Sequence, residues 1–234
     1  MSKPPFYRLT TQANFYFVRH GNSVANSAGV YQGRSNSKLS ELGHEQARRT
    51  GAWFRDQGVT RVLSSPLDRA AETARIMSAQ AGLCEPEALE ELIEIDIGLF
   101  SNLPPAEIKE RFPDDWERFQ RHSWEAVPRA ERITSLRQRV RAVWDRLIEE
   151  ANSGHEAILC VSHGGFMQWI LKSTFGAIDH WLPLVRISNC GVFRYRAHAV
   201  DERNAYGIWD MINHQVTNGS RETTPIAGDR SRLG

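Results

Sequence analysis

The stretch that decides the fold is Phe15-Tyr16-Phe17-Val18-Arg19-His20-Gly21-Asn22-Ser23-Val24-Ala25-Asn26. Its first four residues are apolar and either aromatic or β-branched, a pattern typical of a strand that is buried on both faces. Arg19, His20 and Gly21 follow directly and therefore stand at the carboxyl end of that strand. Because open α/β sheets bind ligands at this edge, the stretch predicts a ligand site as well as a strand.

A second stretch, Ala157-Ile158-Leu159-Cys160-Val161-Ser162-His163-Gly164-Gly165, has nearly the same arrangement. An apolar run again ends in a histidine that is followed by glycine. Two buried strands that each deliver a histidine to the same edge of a sheet predict one shared pocket. Cys160 lies inside the apolar run, which favours a small core residue over a reactive thiol.

Composition restricts the class of protein and its partners. The chain has 234 residues, of which 41% are hydrophobic and 24% charged, as in soluble globular proteins. The net charge of +1 gives no general attraction to nucleic acid or to an acidic membrane. The chain shows no signal peptide and no run approaching the ~20 apolar residues of a membrane span. We therefore expect a cytoplasmic protein without nucleic-acid or membrane partners, and we leave open whether it forms a homodimer.

Strands and helices alternate along the chain, which predicts an α/β fold, a three-layer α/β/α sandwich around a mostly parallel central sheet. Residues 1–234 are expected to form a single domain, with a lid inserted at about 99–130 and a flexible tail at about 213–234. Residues 92–97 predict a strand or an extended loop. The predicted helices cover 41–57, 66–80, 104–122 (two short helices divided at Pro113), 133–151 and 166–175; the other predicted strands cover 59–64, a pair within 184–196, and 208–212.

The residues expected at the sheet edge suit phosphoryl transfer. Arginines offer forked donors that match phosphate oxygens, and backbone N–H groups add neutral donors. A histidine is itself a nucleophile, and neighbouring arginines disfavour its imidazolium form. A carboxylic acid must then protonate the leaving alkoxide, and a carboxyl placed among isoleucines suits this role. The candidates are Arg19, His20, Asn26, Arg69, Glu94, His163 and the backbones of Gly21 and Gly164.

These residues lie in blocks that resemble the signature of the histidine phosphatase superfamily, also called the phosphoglycerate-mutase-like family. The blocks occur in the family's order over about residues 15–195. They are Arg19-His20-Gly21-Asn22-Ser23-Val24-Ala25-Asn26, Gln32-Gly33, Leu39-Ser40-Glu41-Leu42-Gly43, Ser64-Ser65-Pro66-Leu67-Asp68-Arg69-Ala70-Ala71-Glu72-Thr73-Ala74, Leu92-Ile93-Glu94 with Gly98, and Val161-Ser162-His163-Gly164-Gly165.

The resemblance implies a phosphoglycerate-mutase-like fold and a phosphatase that acts on small-molecule phosphate esters. It implies His20 as the phosphohistidine nucleophile and Glu94 as the proton donor, with no metal or other cofactor. Repulsion of a cation by two arginines agrees with the absence of a metal. The implied phosphate pocket consists of Arg19, Asn26, Arg69, His163 and Gly164, and Asn189 matches a late family position without a defined role.

Three departures from the family pattern bear on function. Asn22 stands where the family usually has Glu or Gln, Lys38 replaces a frequent proline, and Ser101-Asn102 replace a common Glu-Gly. No block resembles the paired arginines in the long lid of phosphoglycerate mutases, which favours net hydrolysis over mutase transfer.

Several alternatives stay open at this point. The chain could be a mutase-type phosphotransferase or a catalytically idle module that binds phospho-ligands. Asp96 shares a face with Glu94 on an alternating strand and is the rival acid. Trp116, Phe119 and Trp124 are expected to pack the lid rather than to form a platform for substrate.

Overall fold

The computed structural model describes residues 8–176, 182–201 and 204–217. The strand order in the sheet is β3-β2-β4-β1-β5-β6. The first four strands in this order run parallel, whereas β5 and β6 are antiparallel to their neighbours. The predicted mostly parallel sheet is therefore confirmed. The strands are β1 (Gln12–Arg19), β2 (Arg61–Ser64), β3 (Glu87–Ala88), β4 (Ala157–Ser162), β5 (Val192–Asp201) and β6 (Asn204–His214).

The helices begin where the sequence places capping residues and prolines. Ser40 caps the second helix by accepting a hydrogen bond from the N–H of Gly43 at 3.1 Å, and Pro113 begins the fifth. The helices are α1 (Val24–Ser27), α2 (Glu41–Phe54), α3 (Asp68–Ala81), α4 (Pro105–Arg111), α5 (Pro113–Arg121), α6 (Ile133–Asn152) and α7 (Gly164–Phe175). Single 3₁₀ turns occur at Glu90–Leu92, Gly98–Phe100 and Trp124–Ala126.

Alternation along β1 distributes its side chains between two layers of helices. Phe15 and Phe17 pack edge-on against Trp144 of α6, in the same core as α7. Tyr16 and Val18 face the opposite side, where they join the core formed with α2 and α3. The three-layer α/β/α sandwich is therefore confirmed. Among the described residues, no helix is both long enough and apolar enough to cross a membrane.

The C-terminal strands differ from the prediction. Residues 184–191 form no strand, so the first of the two short strands predicted within 184–196 is wrong, whereas the second is confirmed as the start of β5. Apolar residues there had suggested a strand, but this segment crosses the ends of the central strands, where the N–H of Cys190 donates to the carbonyl of Arg19 at 2.9 Å. The edge strand β6 also extends to His214, into the predicted flexible tail, and residues 218–234 lie outside the described part of the chain.

The insertion at 99–130 packs on the loop that follows β1. Tyr31 of that loop exchanges backbone hydrogen bonds with the insertion, donating to Leu103 at 3.0 Å and accepting from Asn102 at 2.6 Å. Trp116 and Phe119 stack around Tyr31, so these aromatic rings pack the insertion as expected. Asn102 has a φ of 63°, a conformation that asparagine tolerates better than most residues. The asparagine at the position where the resemblance expects glycine thus takes a backbone conformation that glycine favours.

Candidate active site

Parallel pairing of β1 with β4 brings the two histidines together. Arg19 and Ser162 are partners in the sheet, so His20 and His163 leave adjacent strands at the same edge. Their ring centroids lie 5.1 Å apart, and both residues are buried. The two histidines that the similar stretches predicted at one sheet edge are therefore neighbours in the structure.

Hydrogen bonds define the state of the His20 ring. Its Nδ1 lies 2.7 Å from the carbonyl oxygen of Gly21, which can only accept, so Nδ1 carries the proton. Its Nε2 then holds a lone pair and accepts a hydrogen bond from Nε of Arg69 at 3.2 Å. Burial, followed by the charges of Arg19 and Arg69, holds the pKa of His20 well below 6.5. The ring is therefore neutral at neutral pH, with its lone pair on Nε2.

Arg69 stands in the first turn of α3 and is almost completely buried. Its two terminal nitrogens donate to the carbonyls of Ser35 at 2.7 Å and Gly33 at 2.9 Å. Burial lowers the pKa of Arg69 to about 10, so the guanidinium remains charged at neutral pH. One side chain thus binds both His20 and the loop at 33–35.

Arg19 ends β1 and points toward α7. Its Nη1 donates to the carbonyl of Ile187 at 2.8 Å, whereas its buried Nε has no hydrogen-bond partner among the described residues. A Cβ added to Gly164 would lie 3.4 Å from this Nε, an ordinary van der Waals distance, so the Arg19 side chain lies against the start of α7. An unsatisfied buried donor of a charged group marks a place for an anionic ligand.

His163 is oriented by Ser65, at the end of β2. Its Nε2 lies 2.7 Å from Oγ of Ser65, and its buried Nδ1 has no partner within the described ranges. Burial, followed by the charges of Arg69, His20 and Arg19, holds the pKa of His163 well below 6.5. A second neutral imidazole therefore faces the same pocket with an unsatisfied nitrogen.

Glu94 lies in an irregular loop between two 3₁₀ turns, so the extended loop, and not a strand, is correct for 92–97. Its carboxylate sits at the N-terminus of α7. Oε1 accepts the N–H groups of Ile95 at 2.9 Å and Phe166 at 2.8 Å, and Oε2 accepts that of Gly165 at 3.1 Å. Helix N-termini stabilise carboxylates in this position. Burial lowers the pKa of both Arg19 and Arg69, and the charge of Glu94 partly offsets this lowering.

Asp96, the rival acid, is placed differently. Its Oδ1 accepts the N–H of Gly98 at 2.9 Å and so closes the turn that begins the insertion. No hydrogen bond joins its carboxylate to the histidines, to Arg19 or to Arg69 among the described residues. The sequence pattern left Glu94 and Asp96 on one face, and the irregular backbone separates them.

The asparagines of the site form a chain of contacts behind His20. The amide nitrogen of Asn189 donates to the carbonyl of His20 at 3.0 Å and to Oδ1 of Asn26 at 3.2 Å. Asn26 is thereby connected to the pocket through Asn189, whose supporting role sequence reasoning did not assign. Asn22 points away from the pocket, since its Oδ1 accepts from the hydroxyls of Ser27 and Ser40, both at 2.7 Å.

Two glycines bring α2 against the end of β1. A Cβ on Gly43 would lie 2.0 Å from the carbonyl oxygen of Asn22, and one on Gly21 would lie 2.6 Å from that of Gly43. Any side chain at either position would push the two backbones apart. This contact gives a physical role to the block Leu39–Gly43, whose purpose the sequence alone did not reveal.

Some residues of the site were missed at the level of sequence. Ser65 could have been found, because it directly follows a predicted strand at the same sheet edge. Thr73, whose hydroxyl accepts the N–H of Gly21 at 3.0 Å, lies one helical turn after Arg69 and was also detectable. Glu131 and Arg139, which contact the Glu94 loop, carry no motif, and only the folded structure brings them to the site.

Comparison with known proteins gives a consistent result. Residues 15–203 match the histidine phosphatase superfamily (branch 1). A probable phosphoglycerate mutase, GpmB, of Yersinia pestis is 32% identical over 186 residues, which cover 76% of this chain and 82% of that protein.

Solved structures show the same fold at lower identity. An alpha-ribazole phosphatase from Shigella flexneri superposes with a TM-score of 0.73 at 23% identity, covering 86% of this chain and 96% of its own. A mycobacterial glucosyl-3-phosphoglycerate phosphatase superposes with a TM-score of 0.74 at 22% identity, covering 86% and 99%. The chain belongs to the histidine phosphatase superfamily, an enzyme family of phosphatases and mutases.

Proposed function

We propose that the protein is a metal-independent phosphatase that hydrolyses small phosphate monoesters through a phosphohistidine at His20. The observation that carries this proposal is the state of the His20 ring. Its Nδ1 is committed to the carbonyl of Gly21, and its unprotonated Nε2 faces the guanidinium of Arg69 in a buried pocket. A neutral imidazole beside two arginines is arranged to attack an anionic phosphoryl group.

The reaction proceeds in two transfers. Nε2 of His20 attacks phosphorus, a P–N bond forms as the ester P–O bond breaks, and the leaving alkoxide takes a proton from the Glu94 carboxylic acid. Water then attacks the phosphohistidine and gives its proton to the Glu94 carboxylate. The P–N bond breaks, which releases inorganic phosphate and restores neutral His20 and protonated Glu94.

The contacts of Glu94 favour one oxygen as the proton donor. Oε1 already accepts two backbone N–H groups, whereas Oε2 accepts one. The proton of a carboxylic acid is best placed on the oxygen that accepts fewer hydrogen bonds. We therefore assign the transferred proton to Oε2.

Donors for the transferring phosphoryl group surround the nucleophile. Arg19 offers its unsatisfied Nε, and Arg69 retains N–H groups beyond those that bind the loop. His163 joins them if its Nδ1 carries hydrogen and the hydroxyl of Ser65 donates to its Nε2. An anionic phosphoryl group favours this tautomer because it needs donors.

Contacts in the insertion favour hydrolysis over mutase transfer. The arginines of α4 and α5 each pair with a carboxylate of their own helix: Arg111 with Glu107, Arg118 with Asp115, and Arg121 with Glu117. These ion pairs are largely exposed and satisfy the cations locally. Each of these three arginines thus already has an anionic partner within the described insertion.

A single set of assays tests this proposal. The purified protein is incubated with p-nitrophenyl phosphate and with a phosphoglycerate, each in EDTA, while inorganic phosphate and positional isomers are measured. We expect stoichiometric phosphate release and an acid-labile phosphoenzyme. Isomer formation without phosphate release would establish a mutase, and phosphate binding without turnover would establish an idle binding module.

A further inference from the structure

A polar cluster outside the phosphate pocket centres on Glu131, where the insertion joins α6. Its side chain is only 7% exposed. Arg139 of α6 binds both carboxylate oxygens, through Nε to Oε1 and through Nη2 to Oε2, each at 2.8 Å. Such bidentate pairs fix the orientation of both partners.

Arg139 continues from this pair to the backbone that carries Glu94. Its Nη1 donates to the carbonyls of Glu91 and Ile93, both at 2.8 Å. Its guanidinium also stacks 4.7 Å from the ring centre of Phe166, whose N–H binds Oε1 of Glu94. Arg139 therefore holds the chain immediately before Glu94 and packs on a residue that anchors its carboxylate.

Arg34 attaches the loop after β1 to the same cluster. Its Nη2 lies 3.1 Å from Oε2 of Glu131, and its Nε donates to the carbonyl of Glu94 at 3.1 Å. Arg34 stands between the two residues whose carbonyls bind Arg69. One carboxylate thus connects the Glu94 loop with the loop that contacts the phosphate pocket.

The backbone of Glu131 adds the insertion to this arrangement. Its N–H donates to the carbonyl of Asp96 at 2.9 Å, and its carbonyl accepts the indole N–H of Trp124 at 3.0 Å. The loop after β1, the Glu94 loop, the insertion and α6 therefore meet at one residue.

We propose that Glu131 is a positioning residue for proton transfer by Glu94. The inference rests on the proposed function, because it assigns Glu131 to one step of that reaction. Glu131 touches neither histidine within the described residues, so we expect its loss to weaken proton transfer by Glu94 more than the attack on phosphorus. Its role is to hold Oε2 of Glu94 within reach of the leaving oxygen, which depends on the geometry of an irregular loop.

Glu131→Gln is the informative substitution. The amide has nearly the shape of the carboxylate but only one acceptor oxygen, so it cannot bind both Arg139 and Arg34 as Glu131 does. The Glu94 loop then loses part of what fixes its position, while the direct contacts of His20, His163 and Arg69 are retained. A general acid matters most for a basic leaving group, so the loss depends on the substrate.

The test measures kcat/KM, which reports the first transfer, for an alkyl phosphate and for p-nitrophenyl phosphate. For Glu131→Gln we expect a loss on the alkyl ester about tenfold larger than the loss on the aryl ester. Equal losses on the two esters would show a merely structural role and overturn the inference. Glu125→Gln, in the same segment but without contact to the Glu94 loop, is expected to match the wild type on both.

Two further variants keep the result decisive. Glu94→Gln must itself show the larger loss on the alkyl ester, and if it does not, the proposed general acid is wrong. If Glu94→Gln shows this difference and Glu131→Gln does not, only the positioning role is refuted. Should Glu131→Gln not fold, as judged by circular dichroism, Glu131→Asp decides. It keeps the charge but shortens the side chain, so it cannot keep the contacts to Arg139 and Arg34 in their present geometry. We expect a smaller difference of the same sign, while equal losses would again refute the inference.

Discussion

Nε of Arg69 donates a hydrogen bond to Nε2 of His20 across 3.2 Å, so the arginine occupies the lone pair that attacks phosphorus in the proposed mechanism. Formation of a P–N bond at Nε2 would end this contact and free the Arg69 N–H for a phosphoryl oxygen. The same guanidinium holds the carbonyls of Gly33 and Ser35 throughout. The N–H group of Arg69 can therefore change its partner from Nε2 of His20 to a phosphoryl oxygen while the guanidinium stays in place.

Substitution of Arg69 is expected to impair both binding and turnover. Arg69→Ala should lower kcat/KM about 10²–10³-fold, because it removes donors to the transferring group and the anchor of the loop at 33–35. Arg69→Lys should recover only part of this loss, since an ammonium cannot reach His20, Gly33 and Ser35 together. Steady-state kinetics with p-nitrophenyl phosphate measure both effects, and full activity of the lysine variant would contradict the geometry.

Removal of the nucleophile should abolish the covalent intermediate. His20→Ala is expected to lower kcat by about 10⁴-fold or more and to eliminate acid-labile phosphate on the protein. Rapid acid quenching with ³²P-labelled substrate detects the phosphoenzyme. A variant that still accumulates acid-labile phosphate would move the nucleophile elsewhere.

Glu94 and Asp96 are expected to differ in their response to the leaving group. Glu94→Gln should lower kcat/KM for an alkyl phosphate about 10²-fold or more and that for p-nitrophenyl phosphate much less, because only the alkoxide needs a proton. Asp96→Asn should affect both esters mildly, since its carboxylate caps the turn at Gly98. The reverse ranking would transfer the acid role to Asp96.

The stability and the activity of the protein should both depend on pH through the two buried histidines. The pKa values of His20 and His163 lie below 6.5 in the folded protein, so below that pH the unfolded chain binds protons that the folded chain does not. The free energy of unfolding should therefore have its full value above about pH 6.5. It should decrease as the pH falls from there toward the lowered pKa values of the two histidines. Denaturant titrations between pH 7 and pH 5 measure this slope (roughly the range in which histidine titrates).

Two matched variants and one kinetic profile complete that test. His20→Asn and His163→Asn should each show a shallower dependence of stability on pH than the wild type. The acidic limb of kcat/KM should lie below pH 6.5, since Nε2 of His20 stays unprotonated there. An acidic limb at or above pH 6.5 would show that burial and the arginines do not lower the pKa of His20.

Chelation should leave activity unchanged. Two guanidinium groups in the pocket supply the positive charge that a metal ion would otherwise bring to the phosphoryl group. Activity in EDTA compared with that in added Mg²⁺ or Zn²⁺ measures this directly. A loss in EDTA that metal restores would require a different mechanism.

Much of this fold follows from the pattern of apolar residues and from the helix-capping residues and prolines in the sequence. Apolar runs identified β1 and β4, and their endings placed His20 and His163 at one edge, because the ends of neighbouring parallel strands must coincide. Ser40 and Pro113 marked helix starts through local chemistry. These features were predictable since each depends on residues close together in the chain.

The parts that could not be predicted depend on distant contacts. The segment before β5 contains apolar residues typical of a strand, yet it crosses the strand ends and binds Arg19 through Cys190. Alternation also placed Glu94 and Asp96 on one face, whereas hydrogen bonds from α7 and Arg139 shape that loop. Nothing near Glu131 in the sequence indicates that it meets residues from four segments.

The position of β1 in the sheet has a consequence for synthesis of the protein. Phe17 is paired with Cys160 on one side and with Phe193 on the other, so both neighbours of the first strand come from the last third of the chain. During translation, β1 emerges long before either neighbour exists, and its apolar residues have no sheet to join. His20 and His163 therefore come together only after β4 has been synthesised, and a chain that stops before β5 leaves β1 with an open edge.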